Sequence, residues 1–374
     1  MSDKKKMIYA VFVSALLLIM AGIFTGVTSI NNKENQQKNT PTPIITSEPA
    51  KQPTEKPQQP TVTPEATPTF VVTPTPEPDK LLQDKLLDGR LAVEIGSDFL
   101  AIKKAVFDKF NVSIESKYLN RCLSITFEGG ENIINTEELY TVVNGSFFVG
   151  EFKLDTAEDE NHISGLYSEY ENEITLVFNS ICEYKTYEDE EFYYISFLYP
   201  HEFYDTIIVI DAGHGGWDTG NYAEGYSGLE KNYNLLIATE LATLLKEKNV
   251  GVYMTRTTDV RLDNAERAGL ADEVFADYMI SIHCDASDNG MSVVYSGEEA
   301  KGLAMECLKA SEQVFKFESN EAVLNEETNS LLGISGVPAV MVEFDFLIKE
   351  EQQKLAARVL ADAILKACGI EENK

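Results

Sequence analysis

Residues 206–374 predict an α/β fold, a largely parallel sheet flanked by helices. Three observations predict it. Short apolar runs such as "TIIVI" alternate with longer segments of helical period. The runs are apolar at successive positions, as strands buried on both faces are. Side chains suited to metal or proton chemistry fall at the ends of those runs, where such sheets bind ligands.

The elements follow in order. "TIIVI" (206–210) reads as a buried strand. "EKNYNLLIATELATLLKEK" (230–248) places Tyr233, Ile237, Leu241 and Leu244 on one helical stripe. "GVYMTR" (251–256) is a strand, "LDNAERAGLADEVF" (262–275) a helix, and "YMISIH" (278–283) and "SVVYS" (292–296) strands. "KGLAMECLKASEQVF" (301–315) is a helix, "PAVMVEFDF" (338–346) a strand, and "EEQQKLAARVLADAILKAC" (350–368) the closing helix.

The preceding segment, residues 81–205, predicts a β-rich accessory domain. "LAIKKAVFDKF" (100–110) suggests a short helix. "CLSITFEG", "NEITLVFNS" and "FYYISFLYP" cluster β-branched and aromatic residues between polar turns and read as strands. "TYEDEEFYY" (186–194) reads as a solvated hairpin edge. His162 and His201 stand alone here, with no metal or nucleophile constellation around them.

Residues 31–80 read as a disordered Pro/Thr-rich linker. Eleven of the 13 prolines fall between Pro41 and Pro78, and "TPTP" occurs twice, so the segment favours extended polyproline II over a core. At ~3.1 Å per residue it reaches on the order of 100 Å. Before it, an uncharged run from Met7 to Ile30 follows Lys4, Lys5 and Lys6. As a helix it spans roughly 36 Å, enough to cross a bilayer. The lysines keep the N-terminus cytoplasmic and everything after residue 30 outside. Residues 1–30 are therefore expected to be a cytoplasmic tip and transmembrane anchor. The alternative is a cleaved secretory signal, against which stand the length of the run and the lack of an Ala-x-Ala site. Both readings export the rest of the chain, to the outer face of the membrane or to the cell wall.

The 374-residue chain carries 31 basic and 61 acidic side chains, a formal charge of −30. The acidity sits in the two folded segments, which argues against nucleic acid and against adhesion to an anionic membrane surface. Cys122, Cys182, Cys284, Cys307 and Cys368 are odd in number and form no Cys-x-x-Cys pair. They predict isolated thiols, neither a disulfide framework nor a zinc knuckle.

In "TIIVIDAGHGGWDTG" (206–220) a buried strand ends on His214 amid glycines. His283 ends "YMISIH", Glu343 ends "AVMVE", and Glu230 opens a helix. The carboxyl ends of parallel strands converge on one edge, so these four groups are predicted to share a site. His-Glu-His leaves a fourth tetrahedral position open, the arrangement of catalytic zinc. The glycines are expected to let the chain turn and to leave room for metal and substrate. Asp211 either orients a ligand histidine or caps the turn. A serine triad finds no support, because no Gly-x-Ser-x-Gly is present.

Five motifs in this order carry a resemblance: "VIDAGHGGWDTG", "GLEKNYNL", "MTRTTDVRLDNAERAGLAD", "ADYMISIHCDAS" and "PAVMVEFDFL". Over about residues 206–370 the chain resembles the zinc-dependent N-acetylmuramoyl-L-alanine amidases of bacterial cell walls (type 3 catalytic domain). The resemblance implies a mixed sheet flanked by helices and one zinc ion on His214, Glu230 and His283. It implies Glu343 as the catalytic acid/base and peptidoglycan as substrate. The accessory segment is similar in position to the wall-targeting β-domains of some amidases. Two departures stand out. Ser-Ile-His usually continues with Ala-Asn, where this chain has Cys284 and Asp285. The last motif usually has glycine where Asp345 stands, and Lys349 lies near its asparagine position. A carboxylate at Asp345 is expected to raise the pKa of a nearby Glu343.

The reaction so implied is hydrolysis of the amide between the lactyl group of N-acetylmuramic acid and L-alanine. Two rivals remain at this stage. One is a zinc peptidase cutting within the stem peptide; the other is a non-catalytic wall-binding or activator protein.

Overall fold

The computed structural model describes residues 80–87, 95–96, 98–128, 139–143, 146–154, 163–170, 172–222, 228–284, 290–315, 319–325, 330–345 and 349–370, all within one compact unit, Val71–Lys374. The expected membrane-spanning run, nearly all of the linker, His162 and Asp285 lie outside the described residues. Among the described residues, no helix is long and apolar enough to cross a membrane.

Helix α1 (Lys80–Leu87) precedes ten strands: β1 (Phe99–Lys103), β2 (Asn111–Lys117), β3 (Cys122–Glu128), β4 (Leu139–Val143), β5 (Ser146–Val149), β6 (Phe152–Lys153), β7 (Ile163–Tyr170), β8 (Glu173–Phe178), β9 (Glu183–Glu188) and β10 (Phe192–Leu198). They form two antiparallel sheets, in the orders β5-β4-β1-β10-β9 and β2-β3-β8-β7-β6. Leu100, Ile102 and Ile195 of the first sheet share a core with Ile125, Leu166 and Leu176 of the second, the packing of a β-sandwich. "TYEDEEFYY" does form a hairpin edge, with β9 outermost and largely exposed.

One expectation holds only in part. In "LAIKKAVFDKF" the short helix is a single turn, α2 (Lys104–Phe107), because β1 takes the first residues. The reason is burial on both faces. Leu100 and Ile102 point into the sandwich core, while Phe99 and Ala101 pack with Leu82, Tyr140 and Tyr194. A central strand of that kind shows no period of two in its hydrophobicity.

After a short helix, α3 (Pro200–Phe203), strands and helices alternate. They are β11 (Ile207–Ala212), α4 (Glu230–Lys246), β12 (Gly251–Met254), α5 (Asn264–Glu273), β13 (Tyr278–Cys284), β14 (Gly290–Tyr295), α6 (Gly297–Val314), β15 (Ser319–Leu324), α7 (Leu331–Ile334), β16 (Ala339–Phe344) and α8 (Glu350–Ala367). The six strands lie in the order β12-β11-β13-β16-β14-β15. Only β14 against β16 is antiparallel. The sheet is therefore mixed, and four strands, β12, β11, β13 and β16, bring their carboxyl ends to one edge. Strand β15, "SNEAVL", is absent from the sequence-based expectation. It is an edge strand with charged and small residues, so it lacks the apolar signature of the others.

Residues alternate faithfully between the two faces. Ile208, Ile210, Ile280, Ile282, Val340 and Val342 face α4, α6 and α8. Val209, Met279 and Ala339 face α5 and α7. Each of the buried Ile, Val and Met side chains among these contributes about 1.5–3 kcal/mol relative to exposure. Helix α4 stops where Asn249 takes a left-handed φ of 59°, a common way to end a helix. Helix α5 starts at a capping box, with Asp263 accepting from Glu266 N–H and Glu266 accepting from Asp263 N–H.

The two parts touch through specific polar contacts. Tyr118 Oη donates to Met254 O (3.1 Å) and accepts from Met254 N–H (2.9 Å). Arg121 donates twice to Glu273 (2.7 and 2.8 Å). Tyr253 Oη donates to Glu183 Oε1 (2.5 Å). All five cysteines are free thiols. Burial pushes Cys182 and Cys307 up to about 12, which keeps both protonated and inert.

Candidate metal centre and its cleft

Strand β11 ends at Ala212, and His214 follows at a left-handed φ of 63°. A non-glycine residue there is strained and clusters at functional sites. Its backbone is held from outside. Arg256 Nε donates to Ala212 O (2.8 Å) and Nη2 to Gly213 O (2.9 Å). Arg267 Nη2 donates to His214 O (3.0 Å) and Nη1 to Ala212 O (3.0 Å). Both arginines are almost fully buried. Their planar forks fasten the strand end where the ladder stops.

The same turn delivers the imidazole. His214 Nδ1 bonds Asp218 Oδ1 at 2.9 Å, leaving Nε2 to face Glu230 Oε1 at 3.1 Å. His283, at the end of β13, places Nδ1 3.1 Å from the same oxygen. The ligand atoms of His214, Glu230 and His283 all lie within 4.8 Å of one another. The predicted His-Glu-His set is thus brought together from β11, α4 and β13.

Glu230 is the buried member, 1 % exposed, while the histidine side chains are 23 % and 18 % exposed. Its Oε2 accepts from Asn221 N–H (2.7 Å), and Oε1 accepts from Cys284 N–H (3.2 Å) and Asn234 Nδ2 (3.4 Å). Burial pushes its pKa up, but the two imidazoles and the Asn221 amide outweigh it and hold the carboxyl well below the usual range. An ionised carboxylate and two imidazoles, one of them oriented by Asp218, make a donor set that zinc takes.

The glycines around the site make room for protein as well as for any ligand. A Cβ on Gly213 would stand 2.3 Å from His283 Cε1. One on Gly220, whose φ is +66°, would meet Glu230 Oε2 at 2.5 Å and His214 Cδ2 at 2.6 Å. The spacing of glycines expected to open a metal cavity therefore serves first to let the ligand side chains approach each other.

Glu343 lies on β16, where the register pairs it with His283 across the parallel ladder. Adjacent in-register residues share a face, so Glu343 stands beside His283 on the side of α5 and α7. It is half-buried.

Asp211 does something other than expected. It neither orients a histidine nor caps the turn. Its Oδ1 accepts from Thr255 Oγ1 and Arg267 Nη1, each at 2.6 Å, and Oδ2 from Ser281 Oγ at 2.6 Å. Burial pushes its pKa up, and the Arg267 charge with these bonds pulls it below its ordinary value. It ties β11, β13 and α5 together beneath the site. Asp218 takes the orienting role instead. The sequence signal for it was available, an aspartate four residues after His214 inside the same turn. Arg256 and Arg267 lay within "MTRTTDVRLDNAERAGLAD" without an assigned role, because burial of an arginine cannot be read from composition.

Cys284 departs from the family pattern harmlessly for the ligands. Its side chain is fully buried on the α4/α6 face, and only its N–H reaches Glu230. His201 is exposed and packs against Tyr199 and Phe275 rings.

A cleft of about 630 Å³ opens over His214 and His283, with Asp218, Arg261, Arg267 and Leu331 among its walls. A histidine–carboxylate–histidine cluster thus lies at the carboxyl edge of an α/β sheet beside an open cleft, in an arrangement that could hold a metal ion. The family model described as N-acetylmuramoyl-L-alanine amidase (Amidase_3) matches residues 208–368. A curated relative, the probable cell wall amidase LytH of Staphylococcus aureus, is 34 % identical over 174 residues, 45 % of this chain and 57 % of the relative. The chain thus spans a little over half the length of the curated relatives it matches. Among solved structures, the catalytic domain of the amidase CwlV from Bacillus (Paenibacillus) polymyxa var. colistinus is similar at 25 % identity, covering 44 % of this chain and 99 % of that one, with a TM-score of 0.41. The N-acetylmuramoyl-L-alanine amidase of Clostridium difficile 630 is similar at 28 % identity, covering 45 % and 98 %, with a TM-score of 0.41.

Proposed function

We propose that this protein hydrolyses the amide bond between N-acetylmuramic acid and L-alanine in peptidoglycan, with a zinc ion held by His214, Glu230 and His283. One observation carries the reading. Three ligand side chains from three elements meet within 4.8 Å on the wall of an open cleft, inside the segment that matches the amidase family. When bound, zinc supplies a Lewis acid for the scissile carbonyl and for water. Glu343 acts as the acid/base: its carboxylate takes a proton from the attacking water and returns one to the leaving L-alanine nitrogen. Arg256, Arg267 and Asp218 keep the His214 turn in place throughout.

The Met7–Ile30 run holds the chain in the cytoplasmic membrane with the N-terminus inside, and the Pro/Thr-rich segment tethers the catalytic part outside, near the wall. The lysine flank and the 24 uncharged residues support this reading. Recovery of a mature form that begins near residues 28–40 in the medium would replace the anchor with a secreted form.

Digestion of purified sacculi tests the chemistry. Whole stem peptides with an L-alanine amino terminus are the expected product. Fragments cut within the stem would make this a peptidase, and zinc binding without release would make it a wall-binding protein. Glu343→Gln should retain zinc and lose hydrolysis by roughly 10² to 10⁴. Glu230→Ala should lose zinc first.

A further inference from the structure

Trp217 is the single tryptophan of the chain and is 78 % exposed. It follows the candidate ligand His214 by three residues, in a turn fixed on both sides. Gly216 N–H donates to Asp259 Oδ1 (2.8 Å), and Gly216 O accepts from Lys231 Nζ (2.7 Å), which also donates to Asp259 Oδ2 (2.6 Å). The indole is therefore displayed from a clamped base. Arg261 covers one of its faces, with the guanidinium carbon 4.8 Å from the ring centroid. Such a stack holds the guanidinium plane in place.

Packing does not account for this indole, because most of its surface faces water. Arg261 is also unusual among the charged groups of the cleft. Arg267 is paired with Asp211, Asp218 with His214, and Asp263 caps α5. Arg261 lines the same cleft and makes no ion pair among the described residues. An open aromatic plane and an adjacent fork of uncommitted donors thus stand together at the mouth of the metal centre.

We propose that Trp217 and Arg261 form the subsite for the muramyl sugar ring. This rests on the amidase reading above. A pyranose presents a flat face of C–H bonds ringed by hydroxyl and acyl oxygens. The C–H face lies on the open face of the indole, while Arg261, stacked on the opposite face, holds the ring plane. A stem peptide of alanines and carboxylates has no flat apolar face of that kind. The cleft, at about 630 Å³, is within the usual range for a small-molecule site, and Arg261, which lines it, joins it to the exposed indole.

The sole tryptophan reports on its own site. The zinc-loaded full chain is titrated with a peptide-free oligosaccharide of alternating N-acetylglucosamine and N-acetylmuramic acid, and separately with the free stem tripeptide. The glycan should shift or quench Trp217 emission, and the tripeptide should leave it unchanged. On sacculus-derived muropeptides, Trp217→Ala should raise KM roughly tenfold with kcat within about a factor of two, the signature of lost uniform binding. Trp217→Phe should restore most of the loss, and Arg261→Ala should weaken glycan binding measured by the same emission. Emission that responds to the tripeptide and not to the glycan overturns the sugar assignment. So does an unchanged KM for Trp217→Ala on a substrate the wild type cleaves. If the wild type releases no stem peptide at all, it is the amidase reading that fails, and the glycan titration still decides the subsite.

Discussion

The double antiparallel sheet of residues 98–198 and the carboxyl edge of the six-stranded sheet differ in how much charge they bury. Among the described residues, Asp98 is the only charged side chain buried in the first. Asp211, Glu230, Lys231, Arg256 and Arg267 are all buried around the second. Neutral polar atoms are buried without a partner in both parts, the hydroxyls of Thr141 and Ser196 in the sandwich and Asn234 Oδ1 and the Ser311 hydroxyl in the α/β part, a small cost borne by ordinary packing. At the sheet edge every buried ion carries two or more bonds. Burying an unpaired charge costs several kcal/mol. The chain concentrates that cost, and its compensation, around the cleft. Ion clusters of this density therefore mark where the fold positions chemistry, whereas the sandwich interior is held by apolar area, with its ion pairs, such as Lys85 with Asp189, nearer the surface.

The comparison is broken most sharply at Arg267. Arg267→Met leaves Asp211 buried without its counter-charge and releases the His214 turn. Removing one partner of a buried pair costs about 3–5 kcal/mol, read as a fall in denaturant midpoint. An equal loss from a surface ion pair in the sandwich would erase the distinction.

Gly213→Ala acts on geometry alone. The added methyl has to displace the His283 ring, so zinc affinity should fall roughly 10- to 100-fold, the scale of misoriented ligands. Competition with a chelating dye measures it. Asp218→Asn should fall at the lower end of that range, because His214 loses its ionised anchor but keeps a polar neighbour. Unchanged affinity in both would remove the case for a preorganised site.

The sandwich offers a pH test. Burial alone would raise the Asp189 pKa, but bonds from Lys85, from the Phe192 and Glu191 amides and from Tyr194 bring it down to about 2 in the fold. A carboxyl lowered on folding stabilises fully above its unfolded value, near 4, and the contribution is lost as pH falls through about 2. Asp189→Asn should flatten the acid limb of the stability profile in that window and leave zinc binding at neutral pH untouched.

The smallest effect is expected at the contact between the two parts. The Arg121 side chain is 50 % exposed, so Arg121→Ala should cost about 1 kcal/mol or less despite its two bonds to Glu273. Thermal unfolding at matched salt reads it. A larger loss would mean that the sandwich and the α/β part stabilise each other through more than this pair.

Much of this molecule was legible without coordinates. The apolar runs ending at Ile210, His283 and Glu343 give strands because buried parallel strands are apolar at successive positions. Metal-type residues at their ends converge because parallel strands share a polarity. Four of the five described helices of the α/β part, all but the single turn α7, were read from the sequence, and the meeting of His214, Glu230 and His283 follows from strand ends and helix start together. What only the tertiary structure decided are the matters that depend on which face a side chain turns to and what it meets there. Strand β1 looked helical because it is buried on both sides. Strand β15 was invisible because an edge strand needs no apolar period. Asp211 serves Arg267, Thr255 and Ser281, not a histidine, because those partners arrive from 44 to 70 residues away along the chain. Cys284 turns its thiol into the core and only its amide toward Glu230. Local sequence fixes period and chain direction, which are properties of neighbours. Partnership among buried charges is set by distance in space, and no local pattern encodes it.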